Sequence, residues 1–128
     1  MVSILLIVKD NKFLFFKRSS EDTSYPNYWG LAGGGVDEGE TPTEGLVREI
    51  EEELGFTLTD YRLLKRYDLN GLIANVYVFD TPDFDESIIT LNNEHTEYRY
   101  FTFNEVINGK DFIPSNTRFI TDYFRTVS

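Results

Sequence analysis

The chain has 128 residues, 41% of them hydrophobic and 27% charged, with a formal net charge of −10. That size and balance predict one globular domain with its own core, and the acidic excess argues against nucleic-acid polymers and membrane surfaces as partners, because its field repels both. With no cysteine and a single histidine, disulfides and thiolate metal sites are excluded and a histidine-rich zinc site is disfavoured; small anionic substrates stay open, since a bound divalent cation inverts the local sign.

Ser3–Val8 and Phe13–Phe16 are apolar runs around Asp10-Asn11-Lys12, which predicts a hairpin. The run Val2–Val8 has no basic flank and is far too short to span a bilayer, so a cytoplasmic protein is the default expectation. Tyr25–Tyr28, with Pro26 and Asn27, reads as loop, and Trp29–Ala32 as a short strand entering a glycine run. A helix follows. Tyr61–Leu69 and Leu72–Phe79 flank Asn70-Gly71, a strong signal for a second hairpin. Thr81–Asn93 is polar and acidic and reads as loop, and Tyr98–Phe103 returns to strand character. Phe119, Ile120, Tyr123 and Phe124 recur at helical spacing after Ser115, the expected N-cap. The order of strands, helix, strands, helix predicts an α/β fold, a mixed sheet with helices on its faces.

The central helix carries the most information. Thr41 and Glu44 form a capping box, Pro42 fits the first helical position, and Gly55 fits the left-handed C-terminal position. The helix is therefore expected over roughly Pro42 to Leu54. At about 100° per residue, Leu46, Val47, Ile50 and Leu54 share a side that should face the sheet. Glu49, Glu52 and Glu53 fall on a different arc, at spacings of three and four. Gly45 lies on that arc one turn earlier and would leave room for a ligand, and Arg48 is placed to orient Glu52. Like-charge pairs at these spacings cost a helix roughly 0.2–0.5 kcal/mol each. A solvated acidic face is the plain alternative. The loop carrying Gly33, Gly34, Gly35 and Gly39 argues for a ligand, because it lets backbone groups approach one closely just before a helix N-terminus.

Gly34, five residues, Glu40, seven residues, Arg48-Glu49-Ile50, one residue, Glu52-Glu53, one residue, Gly55-Phe56 resembles the Nudix box at every fixed position. The resemblance covers 23 residues, and Trp29 through Gly34 is similar to the family's approach to the box. It implies an α/β/α sandwich with a mixed sheet and a loop-helix-loop catalytic motif. It also implies a Mg2+-dependent hydrolase, with Mn2+ as substitute, of nucleoside diphosphates linked to another group. Mg2+ is hard and shares its shell between carboxylates, water and phosphates. By resemblance Glu49, Glu52 and Glu53 hold the metal with the Gly34 carbonyl, Arg48 holds a glutamate in place, and Glu40 supports the loop–helix geometry. Glu94-His95 resembles a late Glu-His segment that supplies a further ligand or base in some Nudix subgroups, which makes Glu94 the first choice for that role and Glu97 the second. Arg18 is a candidate phosphate contact, with Gly33 and Gly34 beside it. Ala32 departs from the proline common before the double glycine, and Tyr100 from a tryptophan often found after the Glu-His segment.

The box speaks to the phosphate chain and not to the attached group. Tyr25, Tyr28, Trp29 and Phe16 are candidate base stackers. A nucleoside triphosphate, cleaved to monophosphate and pyrophosphate, is the leading expectation. Dinucleoside polyphosphates and nucleotide sugars follow, and a non-catalytic nucleotide-binding module or an acidic protein-interaction module are the other classes. A homodimer is compatible with all of them.

Overall fold

The computed structural model describes residues 1–127. The chain runs β1 (Val2–Lys9), β2 (Lys12–Arg18), β3 (Trp29–Gly30), β4 (Ala32–Gly35), α1 (Pro42–Leu54), β5 (Arg62–Leu69), β6 (Leu72–Asp80), β7 (His95–Thr102), α2 (Phe103–Asn108) and α3 (Pro114–Val127), with a 3-10 turn at Glu86–Ile88. β1 is central. It lies antiparallel to β4, with Leu5 opposite Ala32, and parallel to β6, which pairs antiparallel with β5. β2 touches β1 only at Val8–Phe13 and Lys9–Lys12. It then diverges to pair with β3 and, over its whole length, with β7. The mixed sheet therefore opens into two wings, β2 with β3 and β7 on one side and β1 with β4, β6 and β5 on the other.

The apolar runs are continuous because both faces of β1 and β2 are covered. Leu6, Val8, Phe13 and Phe15 point into a core with Tyr67, Val76, Phe119, Ile120 and Tyr123. Leu5, Ile7, Leu14 and Phe16 point the other way, against Leu46, Ile50, Leu54, Tyr77 and Phe79. α1 closes one face and α2 with α3 the other, which is the expected α/β/α sandwich. No helix among the described residues is long and apolar enough to cross a membrane.

Several expectations are corrected. The strand expected over Trp29–Ala32 is split at Leu31: β3 pairs with β2 and β4 with β1. The strand expected to start at Tyr98 begins at His95, because the whole segment follows β2. Phe103 leaves that strand and opens α2, whose N-cap Thr102 forms a second capping box with Glu105. Ser115 is not the N-cap of the last helix but lies inside it. Pro114 takes the first position, where its missing N–H leaves nothing unsatisfied.

α1 has the expected bounds, and its ends follow from local chemistry. The Glu44 N–H donates to Thr41 Oγ1 at 3.2 Å and the Thr41 N–H to Glu44 Oε1 at 2.8 Å. Gly55 caps the C-terminus at φ 75°. The Ser3 hydroxyl donates to the Pro42 carbonyl at 2.7 Å and ties this end of the helix to β1. Val47 is only half buried and stays outside the core. Gly45 is buried beneath Val36 and Glu40, so its missing side chain makes room for the preceding loop and not for a ligand.

Gly33 is fixed more tightly. It sits at φ 144°, and a Cβ there would collide with the Ser3 carbonyl oxygen and stand 2.9 Å from Ile4 Cα. Both obstacles are backbone of the central strand and cannot yield. Gly33→Ala is therefore expected to lower the unfolding free energy by about 3 kcal/mol, read by urea denaturation; a loss below about 1 kcal/mol would mean that the strand can shift to accommodate it.

Candidate active site

The glycine strand β4 and the helix α1 face each other across a narrow cleft of about 210 Å3. Arg18, Asp22, Leu31, Gly33, Gly34, Gly35, Glu49, Glu53, Glu94 and His95 line it. Arg18, Gly33, Gly34, Glu49, Glu53 and Glu94 were expected from sequence and are brought together here. Asp22 and Leu31 were not foreseen. Their places follow from the path of the loop after β2 and the split between β3 and β4, which no local pattern marks. His95 was read as structural.

Glu53 is the most unusual group. Its side chain is 3% exposed, and one oxygen accepts the Gly33 N–H at 3.3 Å. Its position follows from helix geometry, because residue 53 stands about 20° around the axis from Leu46, inside the buried arc. Burial, and next the hydrogen bond with Glu49, push its pKa up to about 9. Glu49 is its neighbour one turn earlier and lies over Gly34: a Cβ on Gly34 would come within 2.6 Å of the Glu49 carboxylate. Only glycine leaves that carboxylate its place. The Gly33 N–H is taken by Glu53, so it is not free for a substrate phosphate.

Glu52 stands apart. It is displaced by about 100° from Glu53 around the helix, and its side chain is 55% exposed. Among the described residues no three acidic or histidine side chains converge closely enough to hold a metal ion. Glu52 instead shares Arg48, whose Nη1 lies 3.3 Å from its carboxylate. Both belong to a broader groove of about 710 Å3 on the opposite flank of α1, lined also by Thr43, Glu44, Val47, Glu51 and Tyr61. Of the two, only the smaller cleft brings carboxylates, glycine backbone and an arginine together among the described residues.

Arg48 is the hub of the loop–helix junction. Its Nε and Nη2 donate to the two oxygens of Glu40 at 2.8 and 2.9 Å, Nη2 also to the Gly35 carbonyl at 2.9 Å, and Nη1 to Glu49 at 3.0 Å. Glu40 accepts the Asp37 N–H as well, at 2.8 Å. Hydrogen bonding to Glu40 raises the Arg48 pKa, and the same bonds lower that of Glu40. The fork is matched to several acceptors at once, which an ammonium could not reproduce. Glu40 thus braces the loop.

The far wall comes from loops. The Thr90 N–H donates to Leu54 O at 2.8 Å and the Asn92 N–H to Glu53 O at 3.3 Å, pinning this loop to the end of α1. That places the exposed Glu94 at the cleft. Glu97 lies outside it and is paired with Arg99 at 3.5 Å. Arg18 donates to Asp22 at 2.7 Å and to Ser24 O at 3.0 Å. Tyr100, which replaces the expected tryptophan, bonds Glu86 at 3.2 Å. Of the candidate stackers Phe16 is wholly buried and Trp29 packs edge-on against Phe101. Tyr25 and Tyr28 remain on the loop that carries Asp22, their rings 5.1 Å apart.

The cleft thus sets buried and half-buried carboxylates against a glycine backbone, braced by an arginine fork. The NUDIX domain family model matches residues 1–123. The nucleoside triphosphatase NudI of Escherichia coli O139:H28 is 46% identical over 117 residues, covering 80% of this chain and 82% of that one. The CTP pyrophosphohydrolase of Escherichia coli K12 is 32% identical over 81 residues, covering 62% and 59%. Among solved structures, a MutT Nudix hydrolase from Burkholderia pseudomallei aligns with a TM-score of 0.67 at 30% identity, covering 80% and 82%. The chain belongs to the Nudix hydrolases, enzymes that act on phosphoric anhydrides of small nucleotide substrates.

Proposed function

We propose that this enzyme hydrolyses nucleoside triphosphates to the monophosphate and pyrophosphate, with Mg2+ or Mn2+ as cofactor. The carrying observation is the Glu49–Glu53 pair set against Gly34 in one cleft with Arg18. The donor set suits a hard divalent cation: all its atoms are oxygens, and the buried Glu53 carboxyl needs either a proton or a cation to offset its charge. Glu49, Glu53 and the Gly34 carbonyl would hold the ion; Glu52 lies on the other flank of α1 beside Arg48 and would join them only by turning its exposed side chain toward the cleft. Such an ion would supply positive charge against the phosphate chain and would lower the pKa of a nearby water. Arg18 binds a phosphate oxygen. Glu94 stands at the mouth of the cleft and takes the proton from the attacking water at its carboxylate. Arg48 keeps Glu49 aligned while Glu40 holds the loop shut behind it. The similarity to a nucleoside triphosphatase and to a CTP pyrophosphohydrolase supports the choice of substrate class.

A panel of nucleoside triphosphates, dinucleoside polyphosphates and nucleotide sugars, each with Mg2+ and then Mn2+, tests this by product analysis. The expected result is monophosphate plus pyrophosphate from at least one triphosphate, at a kcat/KM above that for the other two classes. Preference for either other class, or orthophosphate in place of pyrophosphate, would contradict the assignment.

A further inference from the structure

Two features of the cleft's loop wall have no part in the mechanism so far. His95 opens β7 and is 9% exposed, and its Nδ1 is the one buried side-chain nitrogen or oxygen without a hydrogen-bond partner among the described residues. The ring packs on Phe16 at 5.6 Å but has no polar anchor, although buried polar atoms in native proteins are nearly always paired. The carboxylates that face it are Glu94 and Asp22, and the cation is Arg18. Asp22 is already engaged: it accepts the Ser24 N–H at 3.0 Å and the Arg18 guanidinium at 2.7 Å. Arg18 also donates from Nε to the Ser24 carbonyl, so it is turned onto its own loop. Arg18 and His95 are cross-strand neighbours, where the β2–β7 register shifts.

We propose that Asp22 and His95 are positioning residues that share Arg18 with the substrate. In the ligand-free enzyme Asp22 holds the Arg18 guanidinium. When a substrate phosphate takes Arg18, the Asp22 carboxylate turns to accept a hydrogen bond from His95 Nδ1. This rests on the reading of the cleft as a phosphate site. A phosphate competes for the guanidinium with the same fork geometry as a carboxylate. Asp22 would otherwise be stranded by that competition, and the waiting imidazole N–H offsets the loss. The exchange accounts for both the closed ion pair and the unpartnered nitrogen. It also favours the more highly charged polyphosphate over the monophosphate product, which competes less well for Arg18.

His95 is the chain's single histidine, so its ring nitrogens can be followed by 15N NMR without ambiguity. In wild-type protein saturated with Mg2+-pyrophosphate, the Nδ1 resonance is expected to move to the position of a hydrogen-bonded N–H. In steady-state assays on a triphosphate, Asp22→Asn removes the charge that holds Arg18, and KM is expected to fall about fivefold while kcat holds. A purely structural Asp22 would give an unchanged or raised KM. The exchange is overturned if calorimetry shows Mg2+-pyrophosphate bound while the Nδ1 signal stays still, or if Asp22→Asn folds and does not lower KM. If Mg2+-pyrophosphate does not bind at all, the phosphate-site reading falls, and the exchange with it.

Discussion

Glu53→Gln is expected to lose roughly 10²–10³-fold in kcat/KM and yet to melt above the wild type at pH 8 in the presence of a chelator. Both effects come from one fact, the burial of an acid beside a second acid. The folded-state pKa is about 9, against an ordinary value of 4.5. Below pH 4.5 the folded and unfolded chains both hold the proton and the group contributes nothing. Between these values the unfolded chain releases it and the folded chain keeps it, so wild-type stability falls as pH rises, levelling off above the folded pKa. Glutamine keeps the acceptor for the Gly33 N–H and can donate to Glu49 through its amide. It removes the pH dependence and removes the charge a cation needs. Thermal melts from pH 5 to 9 with chelator, set beside rates with Mg2+, check both halves. A variant that melts lower than wild type at pH 8, or that keeps its rate, would show that Glu53 is an ordinary structural acid.

Arg48→Lys is the second large effect. The guanidinium binds Glu40, Gly35, Glu49 and Glu52 from three nitrogens, a pattern that an ammonium on a flexible stem cannot match. The positive charge survives the substitution, so a purely electrostatic role predicts little change. A bracing role predicts that Glu49 loses its alignment, and the Mg2+ concentration for half-maximal rate rises roughly 10–100-fold. A Mg2+ titration of the initial rate separates the two. An unchanged half-saturation point would reduce Arg48 to a charge.

Much of this site is legible in the chain because its parts are local. The capping box at Thr41 and Glu44, Pro42 and Gly55 fix the ends of α1 through contacts within a few residues, and the spacing of Glu49 and Glu53 is a property of the helix itself. The burial of Glu53 corrects the expected grouping with Glu49 and Glu52 on an arc away from the sheet: at 100° per residue it stands about 20° from Leu46 and about 100° from Glu52, and it is buried. What escapes is set by tertiary register. Asp22 reaches the cleft because β2 diverges from β1 and its following loop folds back onto Arg18. Leu31 lines it because the backbone changes strand partner there, the Leu31 N–H donating to Asn116 at 2.9 Å. No periodicity announces either. The helix α2 is a different kind of omission. Its capping box, Thr102 to Glu105, has the same form as the one at Thr41, but it follows an aromatic run that reads as strand to its last residue. The expected anchoring role of Val47 failed because α1 sits over β1 and β4, leaving the flank toward Tyr61 open.

A divalent cation is expected to take the place of the proton on the buried Glu53. Calorimetric titration of Mg2+ into the protein at pH 8, in two buffers of different ionisation enthalpy, measures this directly. Release of about one proton per ion bound in the wild type, and none in Glu53→Gln, is the predicted result. Mg2+ binding with no proton released, or with equal release in both proteins, would contradict it.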